Sequence, residues 1–163
     1  MVRFTRKLFM LLSSTLISVS LISNANAGSE QGGATDTETE YEPQKVVYDV
    51  IAETLEELEG VLNRASYLST ITGADPFDQS IVLVSHGPEI HYFAIKNRQK
   101  HHELMQRARS LVESKVLIIR MCKVAAQAQG YAPKDIQNFV EMIPMGDAEI
   151  IRLQNEEAHA YMQ

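Results

Sequence analysis

The apolar residues of the chain fall into short continuous runs that alternate with stretches of helical spacing. Runs at residues 45–51, 80–85 and 116–121 show little alternation of polar and apolar positions, which is typical of strands covered on both faces. A shorter run at residues 139–143 predicts a fourth strand, and residues 158–162 predict a last one.

The stretches between these runs have the spacing of helices. Thr54 and Glu57 form a capping box, and apolar residues recur behind it every three or four positions. Helices are predicted in order at residues 54–68, 98–113, 123–129 and 148–157, the third ended by Gly130. Residues 90–95 fit either a short helical turn or an edge strand. Strands that alternate with helices predict a three-layer α/β sandwich around a mostly parallel sheet.

The first 27 residues have the three parts of a secretory signal. A basic start at Arg3, Arg6 and Lys7 precedes an apolar stretch, and Ala25 and Ala27 provide the small residues of a cleavage site. The alternative, a retained membrane anchor, is disfavoured because the apolar stretch is short for a bilayer span. The sequence therefore predicts cleavage after Ala27 and a location in the bacterial periplasm.

Composition after the signal indicates one acidic domain. Residues 28–43 are polar and predict a disordered leader, which leaves residues 44–163 for a single folded domain. The signal holds three of the 15 basic residues and none of the 21 acidic ones, so its removal changes the net charge from -6 to -9. This balance disfavours nucleic acid and anionic membranes as partners.

Two chemically capable side chains are expected at one edge of the sheet. In an open parallel sheet, ligands bind beyond the carboxyl ends of the strands. The predicted strand ends at residues 85–87 and 121–123 place His86 and Cys122 there, with Ser85, Gly87 and Lys123 beside them as binding residues. A candidate site at this edge follows.

Cys122 is the only cysteine of the chain and cannot form an internal disulfide. At the start of a helix, free backbone amides and the neighbouring Lys123 would favour its thiolate and make it a nucleophile. The alternative is a buried cysteine that acts as a small hydrophobic residue. The residues alone leave these two interpretations open.

The histidines support weaker hypotheses. His86 fits a proton partner for the thiol or an anion ligand beside Gly87, and the alternative is a turn histidine bonded to a neighbouring carbonyl. A metal or haem site at His86 and His91 is a third, weaker hypothesis. His101 and His102 are adjacent and cannot face one ion, so a solvated helix face is the preferred interpretation of that pair. No metal and no cofactor are predicted.

Several short segments, in this order, resemble the DsrE/DsrF-like family of sulfur-relay proteins, in its exported single-domain branch. The similarity extends over residues 45–163 and rests on the following segments: Val-Val-Tyr-Asp-Val at 46–50, Val-Leu-Val-Ser-His-Gly-Pro at 82–88, Val-Leu-Ile-Ile-Arg-Met-Cys at 116–122, Gly-Tyr at 130–131, Ile-Arg-Leu-Gln at 151–154 and Ala-Tyr at 160–161. The chain departs from the family at Lys123, where members commonly have a small residue, and at residues 137–140.

The resemblance implies a three-layer sandwich that assembles into homo-oligomers, often trimers or hexamers. In sulfur-handling members, a cysteine at this strand end takes up sulfane sulfur as a persulfide and passes it to the thiol of a partner protein. Cys122 matches that position, and His86 and Gly87 match the family's strand-end turn. Two functions are therefore carried forward: sulfur transfer through Cys122, and a non-catalytic oligomeric module that binds a small molecule or anion.

Overall fold

In the computed structural model, the described residues are 33–73, 75, 77 and 80–163. The predicted signal at 1–27 and the beginning of the predicted leader lie outside them. Residues 33–44 are exposed and contain no helix or strand. Residues Glu38–Gln163 form one compact unit.

Five strands form one sheet in which every neighbouring pair is parallel. The strands are β1 (Lys45–Val50), β2 (Ser80–Ser85), β3 (Ile118–Cys122), β4 (Glu141–Ile143) and β5 (Ala160–Met162), and their order across the sheet is β4-β3-β2-β1-β5. The predicted α/β class is confirmed, and the sheet is all-parallel among the described strands.

Four helices connect the strands: α1 (Leu55–Ile71), α2 (His102–Glu113), α3 (Lys123–Ala128) and α4 (Gly146–Glu157). The predicted capping box opens α1, since Thr54 Oγ1 accepts from the Glu57 amide at 3.2 Å and Glu57 Oε2 accepts from the Thr54 amide at 3.3 Å. Gly130 follows α3 with a φ of 80°, a conformation that glycine adopts without strain. In the part of the chain that the structure describes, no helix is long and apolar enough to cross a membrane.

Local hydrogen bonds shift several predicted boundaries. The segment left open at 90–95 belongs to a 3-10 helix, Pro88–Phe93, and a second one at Ile95–Asn97 delays α2 to His102. The strand predicted from residue 139 begins two residues later because the Val140 amide donates to the Gln137 carbonyl in a turn. Ala158, at a φ of 58°, ends α4 and delays the last strand.

The two faces of the sheet carry separate cores. The larger core includes residues of α1, α2 and α3, among them Leu62, Met105 and Ala126. On the other face, Val47, Val82 and Val84 pack against Ile150 and Leu153 of α4. Helices on both faces make the three layers, and among the described helices α4 is the one that supplies buried core residues to its side.

A charge network fixes α4 to the sheet. Arg120 of β3 donates to Glu149 at 2.5 Å and to Glu141 at 3.0 Å, and Arg152 donates to Glu149 at 2.7 Å. The hydrogen bond from Arg152, opposed by burial and supported by the charge of Arg120, holds the pKa of Glu149 below its ordinary value of 4.5. Glu149 is therefore the centre of this network.

Glu149→Gln is expected to lower the free energy of unfolding by about 2 kcal/mol at neutral pH, because three charge-assisted hydrogen bonds, one from Arg120 and two from Arg152, are weakened. Since the folded-state pKa of Glu149 lies below 4.5, its contribution is present above pH 4.5 and is lost as the pH falls below that value. Denaturant unfolding from pH 7 to pH 3 measures this difference, which should shrink at the acid end. Glu156→Gln is the control, since Glu156 lies 3.9 Å from Arg152 and is mostly exposed. An equal loss in both variants would contradict the role of Glu149.

Candidate functional site

His86 and Cys122 line one cleft at the carboxyl edge of the sheet, on the α4 side. The cleft has a volume of about 210 Å³. Its lining consists of these two residues together with Val124, Ala125, Ala128, Met145, Gly146 and Asp147. The structure thus brings together the two residues that the sequence analysis proposed as catalytic.

Cys122 is the last residue of β3 and the N-cap of α3. Its Sγ accepts a hydrogen bond from the Ala125 amide at 3.4 Å. The sulfur thus caps α3 by accepting one of the free amides of its first turn. The residue is only 5% exposed, so a reagent reaches the sulfur through the cleft.

His86 is bonded to a carboxylate rather than to a neighbouring carbonyl, the alternative that the sequence had left for it. Its Nε2 lies 2.5 Å from Oδ1 of Asp49, a residue of β1. A carboxylate has no proton to give, so the neutral imidazole donates through Nε2 and carries its lone pair on Nδ1. Nδ1 has no hydrogen-bond partner within the described ranges. In this tautomer, Nδ1 is left as a hydrogen-bond acceptor.

The ring of His86 also packs closely against the start of α4. A Cβ placed on Gly146 would lie 3.1 Å from His86 Cβ and 3.2 Å from its Cγ. Contacts this short are tighter than ordinary van der Waals contact, so a side chain at this position would push the imidazole away from the helix, and glycine lets it lie against the backbone. The ring is held by Asp49 on one side and by Gly146 on the other.

Tyr161 of β5 extends the pair into a chain of hydrogen bonds. Its hydroxyl donates to Asp49 Oδ2 at 2.6 Å and accepts from Gln163 Nε2 at 3.0 Å. The hydrogen bond to Asp49 raises the pKa of Tyr161 above its ordinary value. Both oxygens of Asp49 are thus occupied, which fixes the carboxylate that orients His86.

A buried glutamate organises the loops behind the cleft. Glu89 is fully buried and accepts from the Ser85 hydroxyl at 2.6 Å, the Gly87 amide at 2.9 Å and the Ala52 amide at 3.0 Å. These donors come from the ends of β1 and β2. One side chain therefore sets the path of the turn that carries His86.

The same turn is tied to α3. Gln129 Nε2 donates to the Gly87 carbonyl at 2.8 Å. Because Gly87 donates to Glu89 and accepts from Gln129, its backbone is held from both sides. The loop with His86 and the helix that Cys122 caps are positioned relative to each other by this contact.

The residues predicted to bind a ligand, Ser85, Gly87 and Lys123, are not among those that line the cleft. Ser85 is buried and donates to Glu89, while the Gly87 backbone joins Glu89 and Gln129. Lys123 is the first residue of α3, directly after Cys122, and is not among the residues that line the cleft. Of the sequence candidates, His86 and Cys122 share the cleft.

The remaining histidines lie elsewhere. His91 Nδ1 forms a hydrogen bond with the Pro88 carbonyl at 2.5 Å, and its ring lies against that of Tyr92 at a tilt of 41°. His101 is buried with its ring edge-on to Tyr92, which corrects the prediction of a solvated face for that residue, while His102 is exposed. Across residues 33–73, 75, 77 and 80–163, no group of three or more His, Cys, Asp or Glu residues is placed to hold a metal.

The sequence analysis missed four residues that position the site: Asp49, Glu89, Tyr161 and Gln129. Asp49 could have been identified from the sequence, because a single carboxylate inside the apolar run at 45–51 is costly to bury without a partner. Glu89 could not, since it follows a proline and precedes the segment at 90–95 whose secondary structure the sequence left open.

Comparison with known proteins identifies the fold and no family. No protein-family model matches the chain, and no curated protein matches it significantly. Among solved structures, the chain is similar to MTH1491 from Methanobacterium thermoautotrophicum, a protein of unknown function, with a TM-score of 0.60 and 18% sequence identity. The match covers 73% of this chain and 97% of that one. At this identity, the likeness supports the shared α/β fold.

Proposed function

We propose that this protein is a periplasmic sulfur carrier that holds sulfane sulfur as a persulfide on Cys122. The observation that carries the proposal is the cleft in which a helix-capping thiol lies with an imidazole oriented by Asp49. A thiol, a base and a residue that orients the base are the parts that activate a cysteine nucleophile. The resemblance to the DsrE/DsrF-like family suggests the sulfur chemistry.

The proposed reaction is a pair of sulfur exchanges without net oxidation. His86 takes the proton of Cys122, and the thiolate attacks the outer sulfur of a donor persulfide, R–S–SH. The donor S–S bond breaks, R–S⁻ leaves and takes the proton from His86, and Cys122–S–SH remains. An acceptor thiolate then attacks the outer sulfur, and the bonding pair returns to Cys122 Sγ.

The surroundings of the cleft suit contact with another protein. Val124 and Met145 line the cleft and are largely exposed, as is Ile51 next to the Gly87 turn. Apolar side chains at an opening favour docking of a partner surface. The proposed partners are a thiol-containing donor or acceptor protein, and further copies of this chain in a trimer or hexamer.

The burial of Cys122 favours a second candidate function. A thiol that is 5% exposed reacts slowly with bulky partners, and the same cleft has room for a small molecule. The alternative is therefore an oligomeric module that binds a small molecule or anion at this edge without chemistry on sulfur. In that case, Cys122 contributes packing and a helix cap.

Incubation with polysulfide or thiosulfate is expected to add one or more whole sulfur atoms to the protein, measured by intact mass. The gain should reverse with a reductant and should be absent from Cys122→Ser, because that variant lacks the thiol. Binding of the alternative kind would persist in Cys122→Ser. No gain in mass, together with a thiol that resists alkylation until unfolding, would contradict the sulfur-carrier proposal.

A further inference from the structure

A second cleft lies at the start of α2, among residues that are all different from those of the Cys122 cleft. It has a volume of about 250 Å³, and its polar lining includes Arg98, Gln99, His102, Gln106, Arg109 and Gln137. Two guanidinium groups and three amides thus face one cleft, which has no Asp or Glu among its described lining residues. In a chain with a net charge of -6, this is a local excess of positive charge.

Gln137 contributes a donor without an acceptor. The residue is 4% exposed, and its backbone amide is bonded to the Phe93 carbonyl at 3.1 Å. Its side-chain Nε2 is buried and has no hydrogen-bond partner among the described residues. Buried donors are rarely left unpaired in folded proteins, because the loss of hydration is not offset. Gln137 lines the cleft, so an acceptor bound there would give this donor a partner.

Two further features favour an anion. The N-cap of α2, His101, provides no side-chain hydrogen bond to the 12-residue helix, and the first residue of the helix, His102, lines the cleft. Arg109 is held over the ring of Phe139, 4.9 Å from its centroid. Glu113, the acidic residue paired with Arg109, lies at the longer distance of 3.5 Å and does not line the cleft.

We propose that this cleft binds a small tetrahedral oxyanion, of the class of sulfate, thiosulfate or phosphate, between Arg98, Arg109 and Gln137. Planar guanidinium groups match the oxygens of such anions in pairs, and an amide donor adds a further hydrogen bond. A cleft of about 250 Å³ accommodates such an anion with part of its hydration shell. This inference does not depend on the chemistry of Cys122.

Thermal unfolding and titration calorimetry of the purified protein test the proposal. Sodium sulfate, thiosulfate and phosphate are compared with sodium chloride at equal ionic strength. For the oxyanions, we expect the midpoint temperature of unfolding to rise with concentration and to reach a plateau. Arg98→Gln and Gln137→Leu should each raise the dissociation constant about tenfold or more, since each removes a hydrogen bond to the anion. Gln137→Leu should in addition raise the midpoint without anion, because it removes an unpaired buried group.

The matched control is Arg107→Gln. Arg107 is an exposed arginine of α2 that does not line the cleft. Its replacement changes the net charge by the same amount as Arg98→Gln and should leave the dissociation constant for the anion unchanged. The general stabilising effect of sulfate acts on all variants alike and does not saturate at a stoichiometric site. A midpoint that rises equally in all variants, or a calorimetric titration without saturable heat, would overturn the proposal.

Discussion

Replacing Asp49 by asparagine is expected to slow the uptake of sulfur by Cys122 about a hundredfold, the range in which positioned proton transfer contributes to catalysis. Asp49 accepts from His86 Nε2 at 2.5 Å and so keeps the lone pair of the neutral ring on Nδ1. An amide at this position can donate to Nε2 and stabilise the other tautomer, which has its proton on Nδ1. The measurement is the rate of mass gain with a polysulfide donor, from pH 5 to pH 9.

Two control variants separate the orientation of His86 from the loss of a negative charge in the cleft and from the loss of the other hydrogen bond to Asp49. Asp147→Asn removes a carboxylate from the same cleft without affecting His86, and should change the rate only a few-fold. Tyr161→Phe removes the hydrogen bond to Asp49 Oδ2 but keeps the contact with His86, and should have a similarly small effect. A wild-type rate in Asp49→Asn, or equal losses in Asp49→Asn and Asp147→Asn, would show that the orientation of His86 is not used.

Glu89→Leu is expected to lower the free energy of unfolding by about 4 kcal/mol, because three buried or partly buried donors lose their acceptor and each costs roughly 1–3 kcal/mol. The donors come from Ala52, Ser85 and Gly87 at the ends of two neighbouring strands. Leucine has a similar volume, so the loss reports on hydrogen bonding more than on a cavity. Denaturant unfolding followed by circular dichroism measures it.

The comparison for Glu89 is Glu56→Leu, a substitution of the same kind at an exposed position of α1. It should change the stability by less than about 0.5 kcal/mol, the usual range for surface substitutions. The intermediate variant Glu89→Gln keeps one acceptor oxygen and should lie between Glu89→Leu and the wild type. Equal stabilities of Glu89→Leu and Glu56→Leu would show that the three hydrogen bonds contribute little.

The sheet could be predicted because its signals are local. The apolar run of β2 and the capping box at Thr54 appear in the sequence and in the structure at the same residues. Cys122 and His86 could be placed on one edge because parallel strands end on the same side. These inferences need only the period of the pattern and the direction of the strands.

The contacts that complete the site could not be predicted, because each joins residues distant in sequence. Asp49 and His86 are 37 positions apart, and Asp49 and Tyr161 are 112 apart. Their meeting depends on the order of the strands, which places β5 next to β1 at the opposite side of β1 from β2. Glu89 depends in the same way on the ends of β1 and β2.

The short strand β5 also bears on how the protein avoids aggregation. Its three residues pair with Val46, Val47 and Tyr48, the most apolar part of β1, which would otherwise be an open edge able to recruit a strand from another chain. The chain is held directly after β5, where Arg64 of α1 donates to the Gln163 carbonyl at 2.6 Å. The same few residues that hold Asp49 for His86 therefore keep the edge of β1 closed to intermolecular pairing.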